Sequence, residues 1–219
     1  MSLFQGLWEL LFPPKCVLCR GILEREELDL CRKCRQDTPR YLHRRERIRF
    51  VKDYTAVWYY EDMVRESLLR YKFHNARSYC AAYGRMTAMR IGQDLPQDID
   101  LVTWVPVGPK RRLERGYDQV ELLAAEVSRE LKISQKQLLV KRKDNPPQSG
   151  IDSTEGRRAN VLGFYELFNR DSVEGRNVLL LDDIITTGAT ISECARMLHI
   201  GGAKNVYCAA VAAGRNQKQ

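Results

Sequence analysis

The run VLLLDDIITTGAT at residues 178–190 constrains this chain more than any other part of its sequence. Its four leading apolar residues predict a strand of a parallel sheet covered on both faces, and ligands bind such sheets at the carboxyl ends of the strands. Asp182 and Asp183 follow the strand at this edge. The small, hydroxyl-bearing residues after them precede a helix, whose free N–H groups and dipole favour an anion. The two acids can bind the hydroxyl groups of a sugar, and the loop beside them can bind a phosphate. Together they predict a binding site for ribose 5-phosphate.

The same run resembles the fingerprint of the phosphoribosyltransferases, an apolar strand followed by two acids and TTGAT or a close variant. This resemblance implies that Asp182 and Asp183 bind the ribose hydroxyls of phosphoribosyl pyrophosphate (PRPP). Mg²⁺ would accompany PRPP and be held mainly by the pyrophosphate. The 5-phosphate would be held by the five residues of the loop, which are Thr186, Thr187, Gly188, Ala189 and Thr190.

Two other interpretations fit parts of this run. Thr190 and Glu193 have the spacing of a capping box, in which case the acids only end a strand. An apolar strand before two acids is also typical of the Mg²⁺-binding strand of P-loop hydrolases, but the sequence contains no GxxxxGK[ST] motif. The first alternative is compatible with a phosphate site, and the second is disfavoured.

Four of the seven cysteines form a C-x2-C-x11-C-x2-C pattern, made of Cys16, Cys19, Cys31 and Cys34. Two such pairs complete the tetrahedral thiolate shell that Zn²⁺ prefers and leave no open position for water, so the pattern predicts a structural zinc site. The alternative is a pair of disulfides, which a chain without a secretory signal disfavours. The other cysteines, Cys80, Cys194 and Cys208, are predicted to be core residues.

The positive charge is concentrated after the second cysteine pair. Residues 32–52 hold nine Lys or Arg and two acids, which gives 9 − 2 = +7 of a formal net charge of +8. Cations interleaved with aromatic residues are typical of a surface that holds phosphates and stacks bases, and a solvated charged linker explains the segment equally well. The candidate DNA contacts are Arg40, Tyr41, Arg44, Arg45, Arg47 and Arg49.

No segment approaches the roughly 18 apolar residues that a membrane span needs. Residues 3–12 contain Glu9 and lack a basic region and a cleavage site, so they do not indicate a signal peptide. Apolar residues at 3, 7, 10 and 11 predict a short amphipathic helix that covers its own domain. We therefore expect a cytoplasmic protein, brought to the inner face of the membrane through partners at most.

The rest of the chain alternates between predicted strands and helices. Strands are predicted at residues 56–60, 101–107, 138–141, 178–181 and 206–211, and helices at 63–71, 79–91, 120–131 and 191–200. Asp118 with Glu121 is a plausible N-cap pair for the third helix. This alternation predicts an α/β fold with a mostly parallel sheet and helices on both faces. The expected domains are a zinc module with the basic segment at 1–52 and a phosphoribosyltransferase-like domain of type I at 53–219.

A second cluster of cations follows the strand at 101–107. Flexible cations can offset the charge of a departing pyrophosphate, and a solvated loop before a capped helix is the alternative. The candidates for a pyrophosphate loop are Lys110, Arg111, Arg112 and Arg115.

Over nearly its whole length the chain resembles the ComF family, the ComFC-type competence proteins. The resemblance rests on the order of the cysteine module, LRYKF at 69–73, VPV at 105–107, RGYDQ at 115–119, QSG at 148–150, RRANV at 157–161 and the loop at 186–190. It implies a cytoplasmic factor of natural transformation that acts on incoming single-stranded DNA beside a DEAD-box-like, ComFA-type helicase.

Three functions remain open from the sequence. The leading hypothesis is a PRPP-binding protein of DNA uptake, in which the zinc module and basic segment grip single-stranded DNA or a partner. The second is a salvage enzyme that joins PRPP to a nucleobase, although no acceptor-binding motif is present and catalysis is therefore undecided. The third is an adaptor whose loop binds no ligand.

Overall fold

Four parallel strands form the central sheet of the computed structural model, which describes residues 12–43, 47–73, 79–142 and 163–215. In chain order the elements are α1 (Arg32–Asp37), β1 (Asp53–Tyr59), α2 (Asp62–Phe73), α3 (Tyr79–Asp94), β2 (Leu101–Trp104), α4 (Pro109–Arg115), α5 (Gln119–Leu131), β3 (Leu139–Lys141), β4 (Tyr165–Leu167), a 3-10 turn (Arg170–Ser172), β5 (Asn177–Ile185), α6 (Ala189–Ile200) and β6 (Asn205–Ala213). The strand order is β1-β6-β5-β2, so β5 lies inside the sheet.

The central strand sends alternate side chains to two different layers, as the twofold period of a strand requires. Leu179 and Leu181 pack with α2, α3, α5 and the cysteine module on one face. Val178 and Leu180 pack with α6, β3 and β4 on the other. The predicted fold class, a parallel sheet covered on both faces, is therefore confirmed.

The predicted strand at 138–141 forms β3, but it does not join the central sheet. It pairs antiparallel with β4, which was not predicted, in a separate two-stranded sheet in which Lys141 lies opposite Tyr165. A short apolar run predicts a strand without naming its partner, and the three residues of β4 are too few to show a period. The small sheet covers one side of the carboxyl edge of β5.

The predicted loop after β2 is instead the short helix α4. Gly108 is its N-cap, Pro109 is its first residue, and Gly116 ends it in the left-handed conformation with a φ of 71°. Proline at the start and glycine just past the end are strong helix boundary signals. The helix is therefore encoded locally, by Pro109 and Gly116.

The cysteine module packs directly on α2 and α3. Ser67 and Arg70 of α2 donate hydrogen bonds to the backbone carbonyls of Val17 and Leu18. Arg85 of α3 binds the carboxylate of Asp29 through two nitrogens. The module and the sheet therefore share one hydrophobic core.

Cys80, Cys194 and Cys208 are buried, as predicted. The predicted amphipathic helix at residues 3–11 and the motifs at 148–150 and 157–161 lie outside the described residues. Across the part of the chain that is described, no helix combines the length and the apolar character that crossing a bilayer requires.

Candidate functional site

The two acids that end the apolar run of β5 project to opposite faces of the sheet. Asp183 shares the side of Leu179 and Leu181, and Asp182 shares the side of Val178 and Leu180. Both carboxylates nevertheless line one pocket, because it opens at the edge of the sheet where the two faces meet. The pocket has a volume of about 320 Å³.

This pocket, which we call the acid pocket, draws its walls from both layers and from the end of β2. The residues that line it are Lys72, Val105, Pro106, Val107, Arg111, Arg115, Gln119, Val120, Lys141, Tyr165, Asp182, Asp183 and Thr190. Four of these are cations and two are acids. The acid pocket therefore carries a net charge of +2 and suits a multiply charged anion that also presents hydroxyl groups.

The helical form of α4 selects two of the four predicted pyrophosphate ligands. Arg111 and Arg115 are four residues apart, lie on one face of the helix and line the acid pocket. Arg112 points elsewhere, with its guanidinium 3.4 Å from the carboxylate of Glu121. Lys110 is not among the lining residues. Only half of the predicted set therefore faces the acids.

The buried carboxylate of Asp118 fixes the connection between α4 and α5. One oxygen accepts the N–H groups of Val120 at 2.9 Å and Glu121 at 3.2 Å, and the other accepts that of Val107 at 3.0 Å. The predicted N-cap at Asp118 is confirmed. Because these bonds join the end of β2 to the start of α5, they set the wall of the acid pocket.

The loop between β5 and α6 begins the helix without a side-chain cap. The N-cap is Gly188, with a φ of 70°, and Thr190 lies inside the first turn. Glu193 is held by Arg196 and accepts the N–H of Gly163 at 3.1 Å. The capping-box interpretation of Thr190 and Glu193 is therefore wrong, and Thr190 faces the acid pocket instead.

The remaining loop residues lie on the other side of this turn. Thr187, Gly188 and Ala189 line a second pocket, and Thr186 is exposed and lines neither. The five predicted phosphate ligands are consecutive in sequence, but in the structure four of them divide between two pockets and Thr186 lines neither.

Lys72 is a site residue that the sequence reasoning missed. Its Nζ lies 2.8 Å from Oδ2 of Asp183, with both side chains mostly buried, and Gln119 Nε2 lies 3.4 Å from the same oxygen. In the sequence, Lys72 belongs to the LRYKF run at 69–73, which carries no site prediction. No local pattern links a lysine at the end of α2 to an acid at the end of β5, because the contact depends on how the helix packs on the sheet.

Asp182 has a different environment. Burial and the neighbouring charge of Asp183 raise the pKa of Asp182 well above its ordinary value, and Lys72 offsets this in part. Its Oδ1 accepts the N–H of Asp183 at 2.8 Å. A pocket in which the ionised form of a carboxylate is disfavoured is a candidate for ligand binding, because a bound cation or hydroxyl donor stabilises that ionised form.

The basic segment packs on the α/β part of the chain. Tyr41 is buried against Tyr54 and Tyr59, so its ring is not available to a base. Arg40 is exposed next to β1, to which it is joined by a bridge with Trp58. Arg47 and Arg49 line the second pocket, and Arg44 and Arg45 lie outside the described residues.

The four predicted zinc ligands come together at the N-terminal end of the described chain. Their sulfur atoms all lie within 4.8 Å of one another. Cys19 Sγ and Cys31 Sγ are 3.7 Å apart, close to the separation of about 3.8 Å that two Zn–S bonds of ~2.3 Å give at a tetrahedral angle. Backbone N–H groups of Gly21 and Cys34 each donate to a cysteine sulfur at 3.4 Å.

The chemistry of this cluster fits a bound cation. Burial acts to raise the pKa of Cys16, but hydrogen bonds from surrounding backbone N–H groups outweigh it and lower that pKa to about 7. All seven cysteines are described and none forms a disulfide. Four sulfur ligands fill the tetrahedral shell of Zn²⁺, so the ion would hold the module together and leave no position for a reacting water.

Two family models match this chain. The model described as the phosphoribosyl transferase domain matches residues 121–219, and the one described as the double zinc ribbon domain matches residues 7–45. The predicted phosphoribosyltransferase-like domain and structural zinc module are therefore confirmed.

The chain is similar to several bacterial proteins over most of its length. It is 30% identical to the competence protein ComFC of Bacillus subtilis, over 87% of this chain and 82% of that protein. It is 26% identical to competence protein F of Haemophilus influenzae, over 88% of this chain and 93% of that protein. It is also 26% identical to the DNA utilization protein YhgH of Escherichia coli K12, over 81% of this chain and 76% of that protein.

Among solved structures, the chain is similar to an allosteric regulatory enzyme of purine biosynthesis, with a TM-score of 0.44 and 21% identity. The match covers 64% of this chain and 29% of that enzyme. The glutamine PRPP amidotransferase of B. subtilis matches with a TM-score of 0.42 and 21% identity, over 64% of this chain and 30% of that one. The chain thus spans less than a third of either enzyme.

Proposed function

Because the chain belongs to the ComF family of competence proteins, we propose that it binds PRPP in the acid pocket and handles incoming single-stranded DNA during natural transformation. The similarity to proteins named for DNA utilization supports the second part of this proposal. The place of action is the cytoplasm, beside a ComFA-type helicase that brings the protein to the inner face of the membrane.

The observation that carries PRPP binding is the arrangement of opposite charges in the acid pocket. Asp182 and Asp183 lie near the carboxyl end of β5, where they suit ribose hydroxyl groups, and Arg111 and Arg115 line the same pocket from α4. Thr190, in the first turn of α6, supplies a hydroxyl for the 5-phosphate. PRPP carries its diol between two phosphate groups, so one ligand uses all three parts of the pocket.

The acids also fit the Mg²⁺ that accompanies PRPP. Asp183 is already held by Lys72 and Gln119, whereas Asp182 is a half-buried acid whose pKa is raised by desolvation and by the charge of Asp183, which disfavours its ionisation. A cation near Asp182 would remove that cost, and oxygen ligands are those that Mg²⁺ prefers. When bound, the ion would neutralise part of the negative charge of the pyrophosphate.

If the protein transfers the ribosyl group, its own residues have defined tasks. Arg111 and Arg115 offset the charge that develops on the leaving pyrophosphate, and the two acids hold the ribose ring. The acceptor is the component that the described residues do not identify. This leaves the salvage enzyme as the rival, and the two functions differ in whether a nucleobase triggers pyrophosphate release.

Calorimetry with PRPP and Mg²⁺ tests the binding proposal. We expect saturable binding to the wild type and none to the Asp182→Asn, Asp183→Asn double variant. Pyrophosphate release in the presence of a panel of bases is measured alongside, and release that depends on one base would favour the salvage enzyme. An absence of heat with the wild type would favour an adaptor that binds no PRPP.

The role in DNA uptake is tested in transformable cells that carry the same double variant. We expect transformation to fall while the protein level, followed by immunoblot, stays unchanged. Normal transformation by a variant that has lost PRPP binding would show that the pocket is not needed for this role.

A further inference from the structure

The second pocket lies on the opposite side of the loop from the acid pocket. It has a volume of about 310 Å³ and lies between α6 and the segment 47–52, which we call the strap. Its strap side consists of Arg47, Ile48, Arg49 and Phe50, and its other side of Thr187, Gly188, Ala189, Ser192, Glu193 and Arg196. We call it the strap pocket.

The strap is held in place at its C-terminal end. The N–H of Lys52 donates to the carbonyl of Val206 at 2.8 Å, and a ring nitrogen of His199 lies 3.0 Å from the carbonyl of Phe50. Ile48 packs on Gly188 so closely that a Cβ built on the glycine would meet three Ile48 carbons at 3.1–3.3 Å. The strap is therefore fixed from Ile48 to Lys52, where it faces α6 across the strap pocket.

Its two strap arginines are available to a ligand. Both side chains are exposed, and within the described part of the chain neither pairs with a carboxylate. The third arginine of the pocket, Arg196, is bound to Glu193 through two nitrogens at 2.8 and 2.9 Å, so these two charges cancel. The remaining charge of +2 comes from Arg47 and Arg49 and fits a phosphate group or two adjacent ones.

The strap also offers a surface for a base. The Arg49 guanidinium carbon lies 4.7 Å from the centre of the half-buried Phe50 ring. Arginine planes and aromatic rings are the side chains on which unpaired bases stack, and the hydroxyls of Thr187 and Ser192 add hydrogen-bonding groups beside them. A concave pocket of this size admits an unstacked nucleotide, whereas the bases of a duplex are already paired and stacked.

From these observations we infer that the strap pocket binds the phosphodiester backbone and one base of single-stranded DNA, on the far side of the loop from PRPP. This inference rests on the proposed role in DNA handling and gives it a location. It places the DNA contact on the strap and α6, and the zinc module then serves to stabilise the fold.

The test compares two double variants that remove the same charge. Arg47→Gln with Arg49→Gln alters the strap pocket, and Lys33→Gln with Arg35→Gln removes two exposed cations from α1 of the zinc module. Binding of a labelled oligothymidine is followed by fluorescence anisotropy at salt concentrations from about 50 to about 300 mM. PRPP binding by calorimetry and Tm by circular dichroism are measured on the same samples.

We expect the strap variant to bind the oligonucleotide about tenfold or more weakly, because it loses two charge-assisted phosphate contacts. The slope of log affinity against log salt should decrease by about 1.4, since each phosphate contact with a single strand contributes ~0.7. The α1 variant should change either quantity little, and both variants should bind PRPP as the wild type does.

Four results would overturn the inference. They are an equal or larger loss in the α1 variant, an unchanged strap variant, a loss of PRPP binding in the strap variant, and tighter binding of duplex than of single-stranded DNA. If the wild type itself binds no oligonucleotide, the proposed DNA handling fails as well. Wild-type binding with an unchanged strap variant leaves that function intact and removes only its location.

Discussion

Asp182 and Asp183 are adjacent residues with different tasks because they lie on opposite faces of β5. Asp183 is neutralised by Lys72 across the pocket, at 2.8 Å. Asp182 forms no ion pair among the described residues, and its Oδ1 accepts the backbone N–H of Asp183 at 2.8 Å. In this fold Asp183 is paired with a cation, whereas desolvation and the charge of Asp183 raise the pKa of Asp182. An acid with a perturbed pKa in a pocket is a candidate for ligand binding.

The Asp182→Asn substitution should raise stability while it weakens PRPP binding. Because the pKa of Asp182 is raised in the folded protein, the wild-type free energy of unfolding falls as pH rises from about 3.9 to that raised value, and it stays lower above it. The variant lacks this fall, so at pH 7.5 we expect a higher Tm and PRPP affinity reduced about tenfold or more. Thermal unfolding and calorimetry at several pH values measure both.

Asp171→Asn is the matched control, since its carboxylate is exposed and does not line the acid pocket. It should leave both quantities unchanged. A Tm for Asp182→Asn below that of the wild type at neutral pH would show that the acid is stabilising and would contradict this account.

The Lys72→Met substitution should destabilise the protein by about 1–3 kcal/mol, because it leaves the buried carboxylate of Asp183 without its cation. Adding Asp183→Asn should restore much of that loss. Urea unfolding of the wild type, both single variants and the double variant gives the coupling energy. Arg65→Met, an exposed cation on the same helix, is the control. Additive effects of the two substitutions would show that the ion pair contributes nothing.

At the scale of elements, α4 decides which cations face the acids. A loop would allow all four predicted basic residues to reach a ligand, but the helix directs only Arg111 and Arg115 into the acid pocket. Arg115 also lies over the ring of Phe73, with its guanidinium carbon 5.0 Å from the ring centre, so α4 is braced against the end of α2. The wall that α4 contributes to the acid pocket is therefore a short helix without a buried side chain of its own.

Replacing Arg111 and Arg115 together with Gln should weaken PRPP binding about tenfold or more and leave ribose 5-phosphate binding within about threefold. The reason is that ribose 5-phosphate lacks the pyrophosphate group that we propose these residues bind. Calorimetry with both ligands measures the difference. Arg112→Gln is the control, because Arg112 pairs with Glu121 outside the pocket. An equal loss for both ligands would place the two arginines at the 5-phosphate instead.

At the scale of the whole molecule, the zinc module is part of the core of the α/β domain. Val17 and Leu18 are buried against α2, and both of their carbonyls accept side-chain hydrogen bonds from that helix. The division into domains 1–52 and 53–219 stays a prediction, and the shared core indicates that neither part reaches full stability alone.

Removal of zinc should therefore lower the Tm of the whole chain. A loss of about 2–3 kcal/mol corresponds to roughly 5–10 °C for a protein of this size. Cys19→Ser tests this without loss of core packing, because Cys19 is the exposed member of the cluster. Metal analysis and thermal unfolding are the measurements, with zinc added back to chelated wild type as the control. An unchanged Tm in a metal-free sample would show that the module does not support the domain.

The sequence by itself determined the features that depend on short spacing. The four cysteines, the apolar strand that leads into two acids, the N-cap at Asp118 and the alternation of strands and helices are all local patterns, because residue spacing fixes which face or turn each side chain occupies. The end of that strand was predicted too early, since β5 continues past the acids to Ile185. These patterns were enough to predict the fold class, the zinc cluster and the acids of the pocket.

Only the tertiary structure decided which distant residues meet. In the fold, Lys72 forms an ion pair with Asp183, and two of the four predicted cations line the pocket that holds the acids. The strand β3 pairs with β4 and not with the central sheet, and Ile48 packs against Gly188. These contacts join segments far apart in sequence, and they depend on how helices and loops pack on the two faces of one sheet. No periodicity within a segment contains that information, since the partner of a side chain is chosen by the layer that covers it.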